Sequence, residues 1–451
     1  MFVEPQLPLF HLPESIDKSN EPQLHASTVR LKHAVRDQIE FRVGTLNDLI
    51  PTDHKVRHVV AYVAQLDISN ILGTIQSVEN AAGRPAVDPK ILLALWLYAT
   101  IEGIVSARTI ADYCKEHIAF QWICGKVSVC HHTLSNFTAK YSEQLDEFLT
   151  QSIAILMKQG FVDLEEVAQD GMRVRASAGN SSFRRKKTLK EFYNEAAEYL
   201  KNLKQEFDNN PAASRHRKNA RAMREAKERE ERVQEALEEL EKLRNEKVKI
   251  AKKYRHNLKE DDLKNIRAST TDPEARVMKM GDGGFRPAYN VQFATTTKHK
   301  IIVGVDVNNQ GTDGGLMCDM VTQVKNRCEQ AAQRWLTDAS YSTIEGIEKV
   351  AEVHPGCKVY TPVRNHARST KDPHSPRSDD SKVIAEWRAR MNTEEAREIY
   401  SKRGCSAEFS NAQSRNHGLV QFLVRGLNKV KGIACLFALA HNMERFFSLQ
   451  S

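Results

Sequence analysis

Leu164-Glu-Glu-Val-Ala-Gln-Asp170-Gly171-Met-Arg-Val-Arg-Ala-Ser-Ala178 is the stretch that orders the rest of the chain. Before it the apolar residues recur at helical spacing. Within it they alternate as in a strand, with an aspartate set in front of a glycine. Two more acids stand out by position: Asp338 follows the short apolar Trp335-Leu336, and Glu408 lies in a basic, helix-patterned segment. Two strand-borne aspartates and one helix-borne glutamate form a set of hard oxygen donors suited to divalent cations. A net charge of +8, from 66 Lys+Arg against 58 Asp+Glu, makes nucleic acid the expected substrate of such a site.

A chain of 451 residues with 41% hydrophobic residues has room for two or three domains and a sizeable core. The longest apolar run, Ile91-Leu-Leu-Ala-Leu-Trp-Leu-Tyr-Ala-Thr-Ile101, is about half of what spans a bilayer. No charged-then-apolar signal opens the chain, and the expectation is a cytoplasmic, nucleoid-associated protein. The 8 cysteines are scattered without a CxxC pair, which reads as buried thiols rather than a disulfide framework. Cys124, Cys130, His131 and His132 lie close together but fit no zinc-ligand spacing.

The pattern divides the chain into a flexible arm (1–38), a helical N-terminal domain (39–158), a catalytic domain (159–183 and 267–451) and a charged helical insertion (184–266). In the second of these, Asp88-Pro89 caps the helix through Ile101, Ser106 caps another to about His117, and a short third stops at Gly125. Thr133 or Ser135 is expected to cap one long helix towards Leu156. Short helices joined by tight turns, the last opening on His131, His132, Ser135, Asn136 and Lys140, are compatible with a helix-turn-helix DNA reader. The insertion reads as an antiparallel hairpin broken at Asn209-Asn-Pro211, with the acid-free run Arg215 to Arg224 as its best phosphate contact. Strands return at Tyr289–Thr295, Ile301–Val307, Arg334–Thr337 and Lys358–Val363, with helices between them, a flexible loop at 366–381, and mostly helix from Lys382. Without the insertion, a mixed sheet with covering helices remains, the plan of a ribonuclease-H-like domain.

Phosphoryl transfer on DNA needs a nucleophilic oxygen, charge compensation for the phosphate and help for the leaving oxygen. Two Mg2+ ions, or Mn2+ in their place, supply these from positions roughly 3.5 to 4 Å apart. Asp170 is the natural bridging ligand, with Asp338 and Glu408 flanking. Asp306, Asp313 and Asp319 compete for the middle role, but Asp313 reads as a helix cap and Asp306 as a solvent-facing strand residue.

At these residues the chain resembles the bacterial insertion-sequence transposases of the DDE (Asp-Asp-Glu) type with a helical N-terminal domain. Beside the Asp170 stretch, the early marks are Leu49-Ile-Pro51-Thr-Asp53-His54-Lys-Val-Arg57 and Gly83-Arg-Pro85-Ala-Val-Asp88-Pro89. Later come Asp272-Pro273-Glu-Ala-Arg-Val-Met-Lys279, Tyr289-Asn-Val-Gln292, Thr337-Asp338-Ala-Ser-Tyr341-Ser, Arg425-Gly-Leu-Asn-Lys-Val430 and Ala440-His-Asn442. Ordered matches of this kind run over about residues 40 to 447.

The resemblance implies that Asp170, Asp338 and Glu408 are the metal ligands and that Tyr400 and Arg403 are the family's signature tyrosine and arginine. One more residue separates Arg403 from Glu408 than is usual, Arg415 stands where a lysine is expected, and Asn411-Ala412 replaces a frequent Phe-Gly. It further implies double-stranded DNA, as element ends and as target, and a homodimer or larger assembly on it. Tyr400, Arg403, Arg415, Arg173, His132 and Lys140 are the candidate DNA contacts. The rival readings are a transposase-derived DNA-binding protein without chemistry and a metal-dependent nuclease without strand transfer.

Overall fold

A computed structural model describes residues 44–77, 84–209, 216–253, 259–364 and 372–450. The chain falls into two units, Met1–Thr45 and Leu46–Ser451. The described part of the first is Gly44-Thr45, and all that follows concerns the second. The arm expected at 1–38, Gly83, the break at Asn210-Pro211 and residues 366–371 of the loop expected at 366–381 lie outside the described residues. Of the basic run from Arg215, Arg221 is described and pairs with Glu225 at 2.8 Å, within its own helix.

Among the described residues, a 3-10 turn (Leu46–Leu49) is followed by seven α-helices: α1 (Lys55–Ala64), α2 (Ser69–Leu72), α3 (Pro89–Ile101), α4 (Ala107–Glu116), α5 (Ile118–Cys124), α6 (His131–Lys140) and α7 (Ser142–Lys158). The caps read from the sequence are present at α3 and α4. Asp88 accepts the N–H of Lys90 at 2.8 Å, and Ser106 that of Thr109 at 3.4 Å. Gly125 closes α5 with a left-handed φ of 54°. The single long helix expected after residue 133 is instead two. Its start is Cys130, and it breaks at Tyr141 (φ −111°, ψ 31°), where the chain turns under a crossing helix. Arg57 clasps the entry to this region by donating to the carbonyls of Asn47, Ile50 and Pro51 at 2.7, 2.8 and 2.9 Å.

The remaining elements are β1 (Glu166–Arg175), β2 (Phe183–Arg185), α8 (Lys186–Asn209), α9 (His216–Lys253), α10 (Glu260–Lys264), β3 (Arg267–Ser269), β4 (Arg276–Lys279), β5 (Phe285–Thr296) and β6 (Ile302–Asn308). Then follow α11 (Met317–Cys328), β7 (Arg334–Leu336), α12 (Ile344–Val353), β8 (Lys358–Tyr360), α13 (Lys382–Met391), α14 (Glu394–Arg403), a π-turn (Gly404–Glu408), α15 (Phe409–Asn416) and α16 (Leu427–Gln450). Helices α8 and α9 form the expected hairpin on the small ribbon β2–β3, with their own core of Leu189, Val233, Ala236, Leu240, Ile266 and Ala268.

The main sheet is mixed. β5 lies antiparallel to β1 on one side and to β4 and β6 on the other, while β1, β7 and β8 run parallel, giving the path β6-β5-β1-β7-β8. β5 is buried along most of its length, as a central strand must be. Helix α16 packs against β6, α3 and α7, so one apolar core runs from the N-terminal helices into the sheet. Arg327, nearly inaccessible, ties the same layers together by pairing with Asp146 of α7 and donating to the carbonyl of Val303 at 3.2 Å. Among the described residues no helix is long and apolar enough to cross a membrane.

Close approach of α16 to the start of α7 depends on Gly432. A Cβ there would lie 2.6 Å from the Cβ and 2.8 Å from the Cα of Ser142, and backbone cannot step aside as a side-chain tip can. Gly432→Val is therefore expected to cost roughly 1–3 kcal/mol by overpacking this crossing. Thermal denaturation reads the effect, and an unshifted midpoint would show that the crossing relaxes freely.

Candidate active site

The register of two parallel strands brings the two aspartates together. Ala168 of β1 pairs with Leu336 of β7, the last rung of that ladder. Asp170 and Asp338 each lie two residues beyond it, so by strand alternation both leave on the same face, about one strand spacing (~4.8 Å) apart. Arg403, at the end of α14, joins them: one of its guanidinium nitrogens stands 3.1 Å from Asp170 Oδ1 and 3.9 Å from Asp338 Oδ2. Asn411 of α15 donates to the other oxygen, Oδ2 of Asp170, at 3.0 Å. Asp338 accepts the N–H of Ser340 at 2.7 Å and its hydroxyl at 2.5 Å.

Electrostatics follow from this crowding. Burial pushes the carboxyl of Asp170 above its ordinary value, with Arg403 and the N–H of Gly171 opposing and the charges of Asp338 and Asp313 adding to the rise. Tyr400 has its phenol raised, chiefly by burial, beside Arg403 and the same two aspartates. Tyr341 is raised in the same way, by burial and then by Asp313, Asp170 and Asp338.

Asp313 caps no helix. The first turn of α11 starts later, with Leu316 in the capping position, and the Asp313 side chain is drawn inward by buried amides. Its Oδ1 accepts Asn290 Nδ2 at 2.7 Å and Gln292 Nε2 at 2.9 Å, and its Oδ2 faces Ser340 Oγ at 3.3 Å and Arg173 at 3.7 Å. The network continues from Gln292 to Gln169 at 3.0 Å and from Gln169 to the indole of Trp335 at 3.0 Å, with Tyr341 donating to Gln292. Asn290 and Gln292, two apart and alternating with Tyr289, Val291 and Phe293, carried a sequence signal for this buried polar face. Asp306 is paired with Lys431 at 3.6 Å, and Asp319 with Lys349 at 3.3 Å, away from the pair.

Glu408 ends the π-turn, which packs on β1 and β5, and its side chain is exposed. It leans back over Gly404, where a Cβ would stand 3.8 Å from its Oε1. Asp170, Asp338, Arg403 and Tyr400 are thus assembled, while Glu408 and Arg415 are at the surface of the same helical segment. Arg173 is engaged within the protein by the carbonyl of Gly311 at 2.9 Å and by Asp313. His132, Ser135, Asn136 and Lys140 share the exposed face of α6.

Asp170 and Asp338 address the same cationic nitrogen, and paired carboxylates suit a hard divalent ion, so this pair fits Mg2+. Among the described residues no three His, Cys, Asp or Glu side chains gather closely enough to hold a metal ion. Gly171 is what lets the polar network reach the strand: a Cβ there would lie 2.3 Å from Gln292 Nε2, 2.8 Å from Asp313 Oδ1 and 2.9 Å from Asn290 Oδ1. Gly171→Ala should break at least one of these bonds and cost roughly 1–3 kcal/mol. Chemical denaturation tests this, and a wild-type midpoint would mean that the network can shift without loss.

Two family models match the chain. One, described as a transposase domain (DUF772), covers residues 44–140, which hold α1 to α6. The other, described as a transposase DDE domain, covers residues 352–447 and so contains Tyr400, Arg403, Glu408 and Asn411. No curated protein and no solved structure matches. A transposase domain over residues 44–140 and a transposase DDE domain over residues 352–447, in that order in one chain, support an insertion-sequence transposase of the DDE type.

Proposed function

We propose that this transposase binds the ends of its element, cleaves DNA by two-metal phosphoryl transfer and joins the freed 3′ hydroxyl to target DNA. The observation that carries the reading is the convergence of Asp170 and Asp338 on one cationic position. The sheet is read as ribonuclease-H-like on its strand order, β6-β5-β1-β7-β8 with the first three antiparallel and the last three parallel. When bound, two Mg2+ ions compensate the charge of the phosphate and activate the attacking oxygen. Asp170 and Asp338 would hold them, with Glu408, exposed at the end of the π-turn, as the third ligand.

The remaining residues act on DNA. Arg415 offers its exposed guanidinium group to backbone phosphates, which Arg meets in a bidentate fashion, while Arg403, beside Tyr400, stays on the two aspartates. On α6, His132, Ser135, Asn136 and Lys140 recur at three- and four-residue steps, the spacing of a helix face laid in a groove. Synapsis of two ends calls for a dimer or larger assembly, working at the nucleoid. A nuclease without strand transfer would use the same site, and joined products on a labelled DNA separate the two.

Asp170→Ala and Asp338→Ala are each expected to abolish Mg2+-dependent cleavage while DNA binding persists, because a ligand is lost rather than core packing. Glu408→Gln keeps the size and removes the charge. It should reduce cleavage by orders of magnitude, whereas Glu395→Gln, on the outer face of α14, should be nearly silent. The reverse ranking would put the third ligand elsewhere.

In the full-length chain, His132→Ala with Lys140→Ala should weaken binding to element ends. Removing the Lys140 phosphate contact should also lower the slope of log affinity against log salt by about 1. An unchanged slope in a binding titration would move end recognition off α6.

A further inference from the structure

We propose that Asn411 is a positioning residue for Asp170, an uncharged donor that fixes how this carboxylate presents itself to a metal ion. The inference rests on the reading of Asp170 as a metal ligand. Asn411 is 5% exposed, and its Nδ2 donates to Asp170 Oδ2 at 3.0 Å. Arg403 takes the other oxygen, Oδ1, at 3.1 Å. Each oxygen of the carboxylate is therefore held by a different residue of the helical segment, one before the π-turn and one after it. The terminal torsion of an aspartate is broad when free, and two donors on two oxygens define it.

Asn411 has no structural reason to be an amide. Its Oδ1 is buried and has no hydrogen-bond partner among the described residues, so the side chain bears the cost of a buried unpaired acceptor. An apolar residue of similar size would fill the space without that cost. Among the described residues, the one hydrogen bond of its side chain is to Asp170.

Charge decides why an amide suits the place. Arg403 is cationic, so it competes with any cation for the two carboxylates. Asn411 is neutral and occupies one lone-pair direction of Oδ2 while leaving the other open, so it orients without repelling. Partners of this kind around ligating carboxylates typically contribute 10–100-fold in metal affinity.

The test is Mn2+ binding to the full-length protein, by calorimetric titration and by the paramagnetic resonance line shape of the bound ion. Asn411→Leu, nearly isosteric and without a donor, should raise the Mn2+ Kd about 10-fold or more and alter the line shape, with thermal midpoint and DNA affinity kept. Should that variant fail to fold, Asn411→Ala carries the same expectation. A wild-type Kd and line shape in a folded variant overturns the proposal. Asp170→Ala is titrated alongside. If it abolishes Mn2+ binding while Asn411→Leu leaves it unchanged, only the positioning role fails. If Asp170→Ala also binds Mn2+ as wild type, the reading of Asp170 as a ligand fails with it.

Discussion

Carboxylates set side by side by a parallel strand pair repel one another, and the surroundings of Asp170 and Asp338 are arranged around that constraint. Two like charges about 4 Å apart cost about 4 kcal/mol at the effective dielectric of a protein surface, and more as water is removed. Asp313, in the segment before α11, adds a third acid nearby. Against these stand Arg403 between the first two and Arg173 beside the third. Neutral donors make up the rest: Asn411 on Asp170, Ser340 on Asp338, and Asn290 and Gln292 on Asp313. The neutral donors matter because a site built to receive cations cannot be fully balanced by fixed cations. Dipoles lower the energy of the carboxylates while leaving their charge available.

The same constraint explains the irregular helix. Arg403 must face Asp170 from one side of a turn and Asn411 from the other, and Glu408 lies between them in sequence. The chain has five steps from Arg403 to Glu408, one more than the family pattern, which in an α-helix would swing the glutamate away from the arginine's face. The π-turn at Gly404–Glu408 takes up the extra residue, so that positions five apart stand as positions four apart do in an α-helix. The residue that lengthens the sequence spacing is thus the one the π-turn absorbs.

Legibility followed the range of the interactions. Caps such as Asp88 and Ser106 and the stop at Gly125 act within four residues and were readable directly. The break at Tyr141 was not: what packs beside it is α16, with Gly432 against Ser142, and that neighbour comes from far along the chain. Asp313 was misread for the same reason: its position suits a cap, but the amides that claim it come from β5. The neighbourhood of Asp170 and Asp338 was legible only in outline, since Asp170 sits in a strand-patterned stretch and Asp338 follows a short apolar run, whereas their side-by-side placement is a matter of strand register. Asn411 registered as a departure from the expected pattern. Its contact with Asp170 lies across 241 positions and has no local trace.

Motifs far from the carboxylates turn out to be paired with one another through α16. At its start, Gly426 and Leu427 donate their N–H groups to Asp272 at 3.2 Å and Glu274 at 2.7 Å. Towards its end, His441, held neutral by burial that pushes it down to about 4, contacts the carbonyl of Lys300 at 2.7 Å. Asn442 completes the edge of β6 through both backbone groups of Ile302 at 2.8 Å. The helix is thus fixed to the sheet at both ends, while its other face carries α3 and α7 and contacts α6. On the proposed reading α6 meets the element end and β1 and β7 carry the cutting residues, so both are mounted on one splint. The span between the sequence recognised and the bond cut is then a dimension of the packing of α16, fixed by its contacts rather than by a flexible linker.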